Sequence, residues 1–272
     1  QIVEKLQPKL FVFENVPGML SAMPDGTPII DLIRRDIESK GYEIIEDIRK
    51  YAVLDASDFS VPQARKRVIL IGMNKEYFKN KNIQNELKKF YTQILPKYKS
   101  KRKISVKEAI GDLPKCMPYY RDARPSHTDP ECSITWHHPR YHGLRDVKIF
   151  KMLAEDIEKG ENQYTDSDIL KEIYNKATGS STNVHKYHVL RANEPSTTIL
   201  AHLHKDGLRF IHYDSSQARS ITVREAARLQ SFDDDFEFIG TQGDAYKMIG
   251  NAVPVKFANA IACAIIELMK EE

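Results

Sequence analysis

The chain has 272 residues, 41% of them hydrophobic and 29% charged, which is enough apolar material for a large core and about two domains. No run of about 18 apolar residues stands out, so the chain is not expected to span a membrane; it opens on Gln with no signal-peptide pattern before the first strand and so looks like a piece that begins partway through a fold. The net charge of +3 conceals an asymmetry: residues 75–107 carry eleven Lys/Arg against two Glu, a local +9, leaving −6 elsewhere and pointing to a polyanionic partner.

In chain order, Phe11-Val12-Phe13 runs into Glu14-Asn15-Val16-Pro17-Gly18. A short apolar run closed by Pro and Gly reads as a buried parallel strand, with Glu14 at its carboxyl end, where open α/β sheets bind ligands. Pro28 opens a helix with Ile29, Ile30, Ile33 and Ile37 at helical spacing, and Gly41 ends it. Tyr42 to Leu54 alternates and reads as a second strand, and Asp55 to Ser60 as a polar turn. Gln63-Ala64-Arg65-Lys66-Arg67 then leads into Val68-Ile69-Leu70-Ile71-Gly72, which has the composition of a central strand.

Residues 75–110 are Lys-rich and weakly patterned, and 111–145 are rich in Pro, His, Tyr and Arg. A helix is expected over 146–159, and a polar stretch with a flexible loop at Gly179-Ser180-Ser181-Thr182 follows. Thr197 to His202 and Leu208 to Tyr213 flank Lys205-Asp206-Gly207 as a hairpin signal. Thr222-x-x-Glu225 is a capping box opening a helix through Leu229. Gly250-Asn251-Ala252-Val253-Pro254 is a turn before a helix over about 255–270, with Phe257, Ile261, Ile265 and Leu268 on one face. The expected domains are 1–74, part of a Rossmann-like sheet; 75–190, a smaller irregular domain extending up to about 220; and 221–272, returning to the sheet.

Arg65 and Arg67 lie two apart on an extended segment, on one side, where they can bind a phosphate or an oxygen gaining negative charge. The basic run, including Lys97, Lys99, Lys101, Arg102 and Lys103, is either a solvated face or a phosphate-contacting one, with Tyr77, Phe78, Phe90, Tyr91 and Tyr98 interleaved. The histidines, which include His137, His138, His142, His185, His188, His202, His204 and His212, accompany no HExxH or paired Cys, so they read as surface or loop residues and no metal is expected. Cys116, Cys132 and Cys263 are odd in number and lack ligand spacing, which favours a reducing, cytoplasmic setting.

Taken in order, these pieces resemble the cytosine-C5 DNA methyltransferases over residues 8–72 and 187–268. Glu14-Asn15-Val16 is similar to that family's Glu-Asn-Val motif, and Gln63-x-Arg65-x-Arg67 to its Gln-x-Arg-x-Arg motif. Arg191, with Pro195 and Thr198, resembles the motif that shapes the target-recognition domain. Thr222 to Phe236 and Tyr246 to Pro254 resemble the C-terminal motifs, ending in Gly-Asn-x-x-Pro.

The resemblance implies an α/β fold, the C-terminal portion of a Rossmann-like methyltransferase sheet with a smaller, irregular target-recognition domain. It implies methyl transfer from S-adenosylmethionine to C5 of a flipped cytosine in duplex DNA, in a restriction–modification system and in the cytoplasm, at the nucleoid if bacterial. Glu14 then partners N3 and Arg67 donates to O2, Arg65 steadies the active-site loop or a phosphate, and Asn251, Ala252 and Val253 line the cofactor site. Arg191, Thr198 and the basic stretch face DNA; Arg121, Arg124, Arg140 and Arg145 are candidates for reading bases.

Two family features are missing. No cysteine follows a proline, the preceding residues being Lys115, Glu131 and Ala262, and no Gly-x-Gly occurs. The chain is therefore expected to be a C-terminal part, inactive alone, whose nucleophilic cysteine and Gly-rich loop come from elsewhere, a separate N-terminal-half polypeptide being one source. A tRNA cytosine methyltransferase of the same family and a non-catalytic DNA-binding derivative are the alternatives. The first lacks its Cys-Phe-Thr signature here; the second would have no need of an N3 acid.

Overall fold

The computed structural model describes residues 1–119 and 126–270. In chain order the elements are helix α1 (Ile2–Leu6), strand β1 (Leu10–Asn15), α2 (Ile29–Ser39), β2 (Tyr42–Ile44), α3 (Ile48–Tyr51), β3 (Val53–Asp55) and β4 (Lys66–Asn74). They continue with α4 (Ile83–Lys89), α5 (Val106–Ile110), α6 (Leu144–Glu158), α7 (Ser167–Thr178), α8 (Val223–Leu229), α9 (Gln242–Asn251) and α10 (Val255–Lys270). Two compact units emerge. The first holds Gln1–Ser60, Arg65–Arg102 and the chain from Lys256 onward; the second holds Val61–Ala64 and Lys103–Val255.

The first unit is built on β4, which is buried from Arg67 to Asn74. β1 pairs antiparallel along one side of it, with Phe13 opposite Leu70 and Asn15 opposite Val68. β2 and β3 share the other side, at Gly72–Asn74 and Lys66–Val68. Between them Ile69 N donates to Ala52 O, Ile71 N donates to Tyr91 Oη at 3.1 Å, and Tyr91 donates to Ile69 O at 2.8 Å. A tyrosine thus completes the ladder where neither strand reaches.

The expected buried parallel strand at 10–13 is corrected. β1 is antiparallel to its partner, its other edge meets no strand among the described residues, and Val12 is 46% exposed. The apolar run carries no information on strand direction, which tertiary pairing decides. The strand expected over 42–54 is likewise two short strands separated by α3, where Asp47 Oδ1 accepts from Lys50 N at 2.9 Å. That cap competes with the ladder, as Asp commonly does.

Part of the basic stretch belongs to this first unit. Phe78, Leu87, Phe90, Tyr91 and Ile94 are buried, while Lys97, Lys99, Lys101 and Arg102 are exposed. α10 turns Phe257, Ala260, Ile261, Ala264 and Leu268 inward, with the Phe257 and Phe59 rings 5.1 Å apart. Tyr98 donates to Glu267 Oε2 at 2.8 Å. The stretch Gln242–Lys270 is long and apolar enough for a candidate membrane span. Its backbone, however, turns extended at Ala252, and each half buries one face in its own unit, the pattern of core helices.

In the second unit α5, α8 and α9 enclose Val106, Ile110, Ile221, Leu229, Tyr246 and Ile249. A second cluster joins α6 and α7 through Val147, Phe150, Leu153, Leu170 and Tyr187. The hairpin expected over 197–213 does not form. Residues 201–204 and 207–209 are short helical turns, and Ile211 pairs instead with Val189 and Ser220. α7 lies within the stretch read as polar and loop-like; Asp166 caps it and Gly179, at φ +70°, ends it. Its burial is slight, so its apolar stripe was easily missed.

Candidate functional site

Glu14 is the next-to-last residue of β1 and Arg67 opens the buried part of β4. The register puts Glu14 opposite Ile69, so Arg67 is its diagonal neighbour two residues back, on the same face. Arg67 Nε lies 2.9 Å from Glu14 Oε1, and Arg67 Nη1 donates to Lys66 O at 2.7 Å. The Arg67 side chain is nearly covered and that of Glu14 is 30% exposed, so the carboxyl stays reachable.

Arg65 is also buried. Burial, and then the neighbouring Arg67 charge, hold its guanidinium down to about 10, with Glu14 opposing, so it remains a cation at neutral pH. Asp55 fixes the backbone here: its Oδ1 accepts from Ser57 N at 3.0 Å, Ser57 Oγ at 2.8 Å and Arg65 N at 3.2 Å. Sequence reading took Asp55 for the start of a polar turn. Only the fold brings it back to Arg65.

The motif around Gln63 straddles the two units, Gln63 and Ala64 grouping with the second. Fully buried Gln63 donates through Nε2 to Leu229 O at 3.2 Å and accepts from Ile199 N at 3.0 Å. Thr198 Oγ1 donates to Ala64 O at 2.8 Å, and Ala64 N to Ser196 O at 2.8 Å. Thr198, expected to face DNA, thus has its hydroxyl hydrogen committed to Ala64. Arg191 Nη1 and Nη2 both donate to Asn162 Oδ1 at 3.1 Å.

Asn251, Ala252 and Val253 leave the end of α9, with Asn251 and Val253 exposed. The turn is anchored from behind. Gln230 Nε2 donates to Ile249 O at 2.8 Å and Gln230 O accepts from Val255 N at 3.2 Å. Gly250 packs so closely that an added Cβ would stand 2.4 Å from Leu200 O. An exposed amide and an apolar edge on a rigid turn suit a polar heterocyclic ligand.

Of the proposed phosphate contacts, Lys97 pairs with Glu267, and Lys99 lies 3.4 Å from Asp58 Oδ2. Lys103 is exposed in the second unit. Arg140 is engaged in packing: its guanidinium lies 3.8 Å from the Tyr246 ring centre and Nη2 donates to Leu203 O at 2.7 Å. Arg145 pairs with Asp146 and donates to Ala177 O. Arg121 and Arg124 lie outside the described residues.

The histidine expectation needs correction. His127, His137, His142 and His212 are buried. His137 Nδ1 lies 3.0 Å from Thr222 Oγ1, His142 Nε2 accepts from Ser220 N at 3.2 Å, and His212 Nε2 is 3.5 Å from Glu225 Oε1. At the centre Arg219 meets Glu225 through two bonds of 2.7 and 2.6 Å. Hydrogen bonds to backbone and hydroxyls make these histidines part of the core, which hydropathy patterning does not reveal. Among the described residues no three His, Cys, Asp or Glu side chains gather as metal ligands.

A family model described as C-5 cytosine-specific DNA methylase matches residues 1–267. The type II methyltransferase M.Bpa9945I of Bacillus paralicheniformis is 32% identical, over 99% of this chain and 62% of that protein. M.NgoFVII of Neisseria gonorrhoeae is 30% identical, over 100% of this chain and 62% of that protein. The chain therefore spans less than two thirds of either relative. A solved structure described as a DNA modification methyltransferase encoded within a prophage (E. coli) superposes with a TM-score of 0.56 at 26% identity, over 98% of this chain and 72% of that one. That likeness supports a mixed α/β, Rossmann-like methyltransferase fold. With the family model matching nearly the whole chain, this protein belongs to the C-5 cytosine-specific DNA methylases.

Proposed function

We propose that the chain is the base-handling and cofactor-edge part of a DNA cytosine-C5 methyltransferase, working on duplex DNA in a restriction–modification system in the bacterial cytoplasm. The observation that supports this most directly is the Glu14–Arg67 pair, a reachable carboxyl and a nearly buried guanidinium held 2.9 Å apart at adjacent strand ends. When a thiolate adds to C6 of a flipped cytosine, electrons move toward N3 and O2. Glu14 meets N3 with a proton and Arg67 donates to O2, so charge forms against fixed partners rather than in water. C5 becomes nucleophilic; a base then takes the C5 proton and the thiolate leaves. Arg65, its backbone fixed by Asp55, steadies the loop or a phosphate.

S-adenosylmethionine supplies the electrophilic methyl. Asn251, Ala252 and Val253 line one edge of its site, on the turn that Gln230 and Gly250 hold rigid. Exposed lysines at 97–103 contact DNA phosphates, and Arg191 and Thr198 support the recognition segment.

The thiol and a Gly-rich loop come, in this reading, from a companion segment or polypeptide. Its seat is the open side of β1. There an apolar groove of about 680 Å³ is lined by Leu6, Phe11, Val12, Phe13, Ile33 and Ile37. Ile2 and Leu6 are 75% and 73% exposed, and α2 buries none of its residues. So large an exposed apolar face marks an interaction surface.

The test is to purify the protein from its native cells and identify companion chains by mass spectrometry. Tritium transfer from S-adenosylmethionine to duplex DNA is then assayed with Glu14→Gln and Arg67→Ala. A companion carrying Pro-Cys, with transfer lost in both variants, is the expected result. Transfer that survives both substitutions would sink the assignment.

A further inference from the structure

The second unit contains a cavity of about 130 Å³ that nothing above uses. Leu153, Leu170, Val189 and Tyr187, all buried, form its apolar base. A water's share of the liquid is about 30 Å³, so the space takes one planar ring system but not a sugar and phosphate as well. Tyr164 contributes a half-buried aromatic ring, while Tyr187 is fully buried in the floor and its Oη has no hydrogen-bond partner among the described residues.

The opposite side is polar and basic. His185, His188 and Arg191 line the cavity, and exposed Thr165 stands at its mouth. Asn162 Oδ1 holds two N–H groups of Arg191, which fixes the guanidinium plane. Burial, and then the charges of His185, Arg209 and Arg191, push His188 down to about 4. At neutral pH it is therefore a neutral imidazole, offering one donor and one acceptor, which suits the edge of a heterocycle better than an anion. A bare anion has no use for the apolar base, and an aliphatic ligand has none for Arg191 and His188.

We propose that this cavity takes the base of a single nucleotide, seated against Tyr164 and the apolar floor, while the sugar and phosphate stay outside it, the phosphate within reach of Arg191 and His185. Stacking on aromatic rings with a cation at the backbone is the general chemistry of unpaired nucleotides. The same chemistry arises in a free mononucleotide or in an unpaired nucleotide of a DNA strand. Glu14, Arg65 and Arg67 are not among the lining residues, and the test needs no turnover, so failure of the methyl-transfer reading would leave this inference standing.

The full chain is titrated by calorimetry with dCMP and dGMP, with inorganic phosphate as the anion control. In parallel, a single-stranded oligonucleotide carrying 2-aminopurine is followed by its fluorescence. Thr165→Phe plugs the mouth and Thr165→Ala leaves it open. Expected is nucleotide binding, or 2-aminopurine quenching, about tenfold weaker in Thr165→Phe and unchanged in Thr165→Ala. Saturation by mononucleotides assigns a free ligand; an effect confined to the oligonucleotide assigns a DNA nucleotide. Phosphate binding as tightly as the nucleotides, no binding of any probe, or equal binding in Thr165→Phe each overturns the proposal. If Thr165→Phe fails to fold, proton NMR decides on the unmodified chain. Magnetisation transfer from ligand ring protons to the Tyr164 and His188 ring protons supports the slot, and its absence with bound ligand overturns it.

Discussion

Gln63 Oε1 accepts the Ile199 backbone N–H at 3.0 Å while its Nε2 reaches Leu229 O, so one fully buried amide joins three segments far apart in sequence. Replacing it with Leu keeps the volume roughly and removes the buried hydrogen bonds to Ile199 N and Leu229 O. A buried hydrogen bond lost with its partner left behind costs about 1–3 kcal/mol, so the loss of two is expected to destabilise Gln63→Leu by roughly 2–6 kcal/mol. Urea denaturation measures this. A change below about 0.5 kcal/mol would mean the interior supplies other partners.

The Glu14–Arg67 pair separates chemistry from folding. Arg67 is nearly buried but Gln keeps an acceptor for its Nε, so Glu14→Gln is expected to lower the thermal midpoint by only a few degrees, about 1 kcal/mol for a hydrogen bond weakened rather than lost. Methyl transfer, assayed with the complete set of chains, is expected to fall by about 10²–10⁴-fold, the usual weight of a positioned acid. A large drop in the midpoint would mark the pair as structural instead.

Much of the candidate site was legible because the motifs that carry the family resemblance are short. Glu14-Asn15-Val16 and Arg65-x-Arg67 each name their residues without knowledge of the fold, and the capping box at Thr222 predicted α8 correctly. What stayed hidden is non-local. Asp55 reaches Arg65 N only through the loop, and Thr198 turns to Ala64 only because residues 196–199 run beside 63–64. Strand direction in β1 failed for the same reason, since an alternating or apolar run is equally good in either orientation. The buried histidines were misread because hydropathy counts imidazole as polar whatever it is bonded to.

Gly250 gives a steric test near the turn at 251–253. An added Cβ would lie 2.4 Å from Leu200 O and 2.6 Å from Ala201 Cα, both backbone atoms that do not move cheaply. Overpacking of this kind costs about 1–3 kcal/mol, so Gly250→Ala is expected to lower the midpoint by several degrees. At Gly72 the clash is with the Phe11 ring, at 2.1 Å, which is the end of a side chain. Differential scanning calorimetry of the two variants is expected to show the smaller loss for Gly72→Ala; the reverse order would show that Leu200 yields more easily than Phe11.

Acid stability follows from the buried groups of the second unit. Burial, against the opposing Glu225 carboxylate, pushes His212 down to about 4, and burial with the His127 and Arg140 charges pushes His142 down to about 3. Both folded values lie below the unfolded value of about 6.5, so their contribution is complete above that pH and is lost as pH falls through 4 and then 3. Burial would raise Glu225, but Arg219 overcomes it and holds the carboxylate down to about 2. Its contribution is therefore present above about 4.3 and disappears toward pH 2. Stability measured by urea unfolding is expected to decline from about pH 6.5 downward. In His212→Gln, which keeps an acceptor for Asp214 N, the slope between pH 6.5 and 4 is expected to shrink by up to about 1.4 kcal/mol per pH unit. An unchanged slope would mean that His212 does not take up its proton on unfolding.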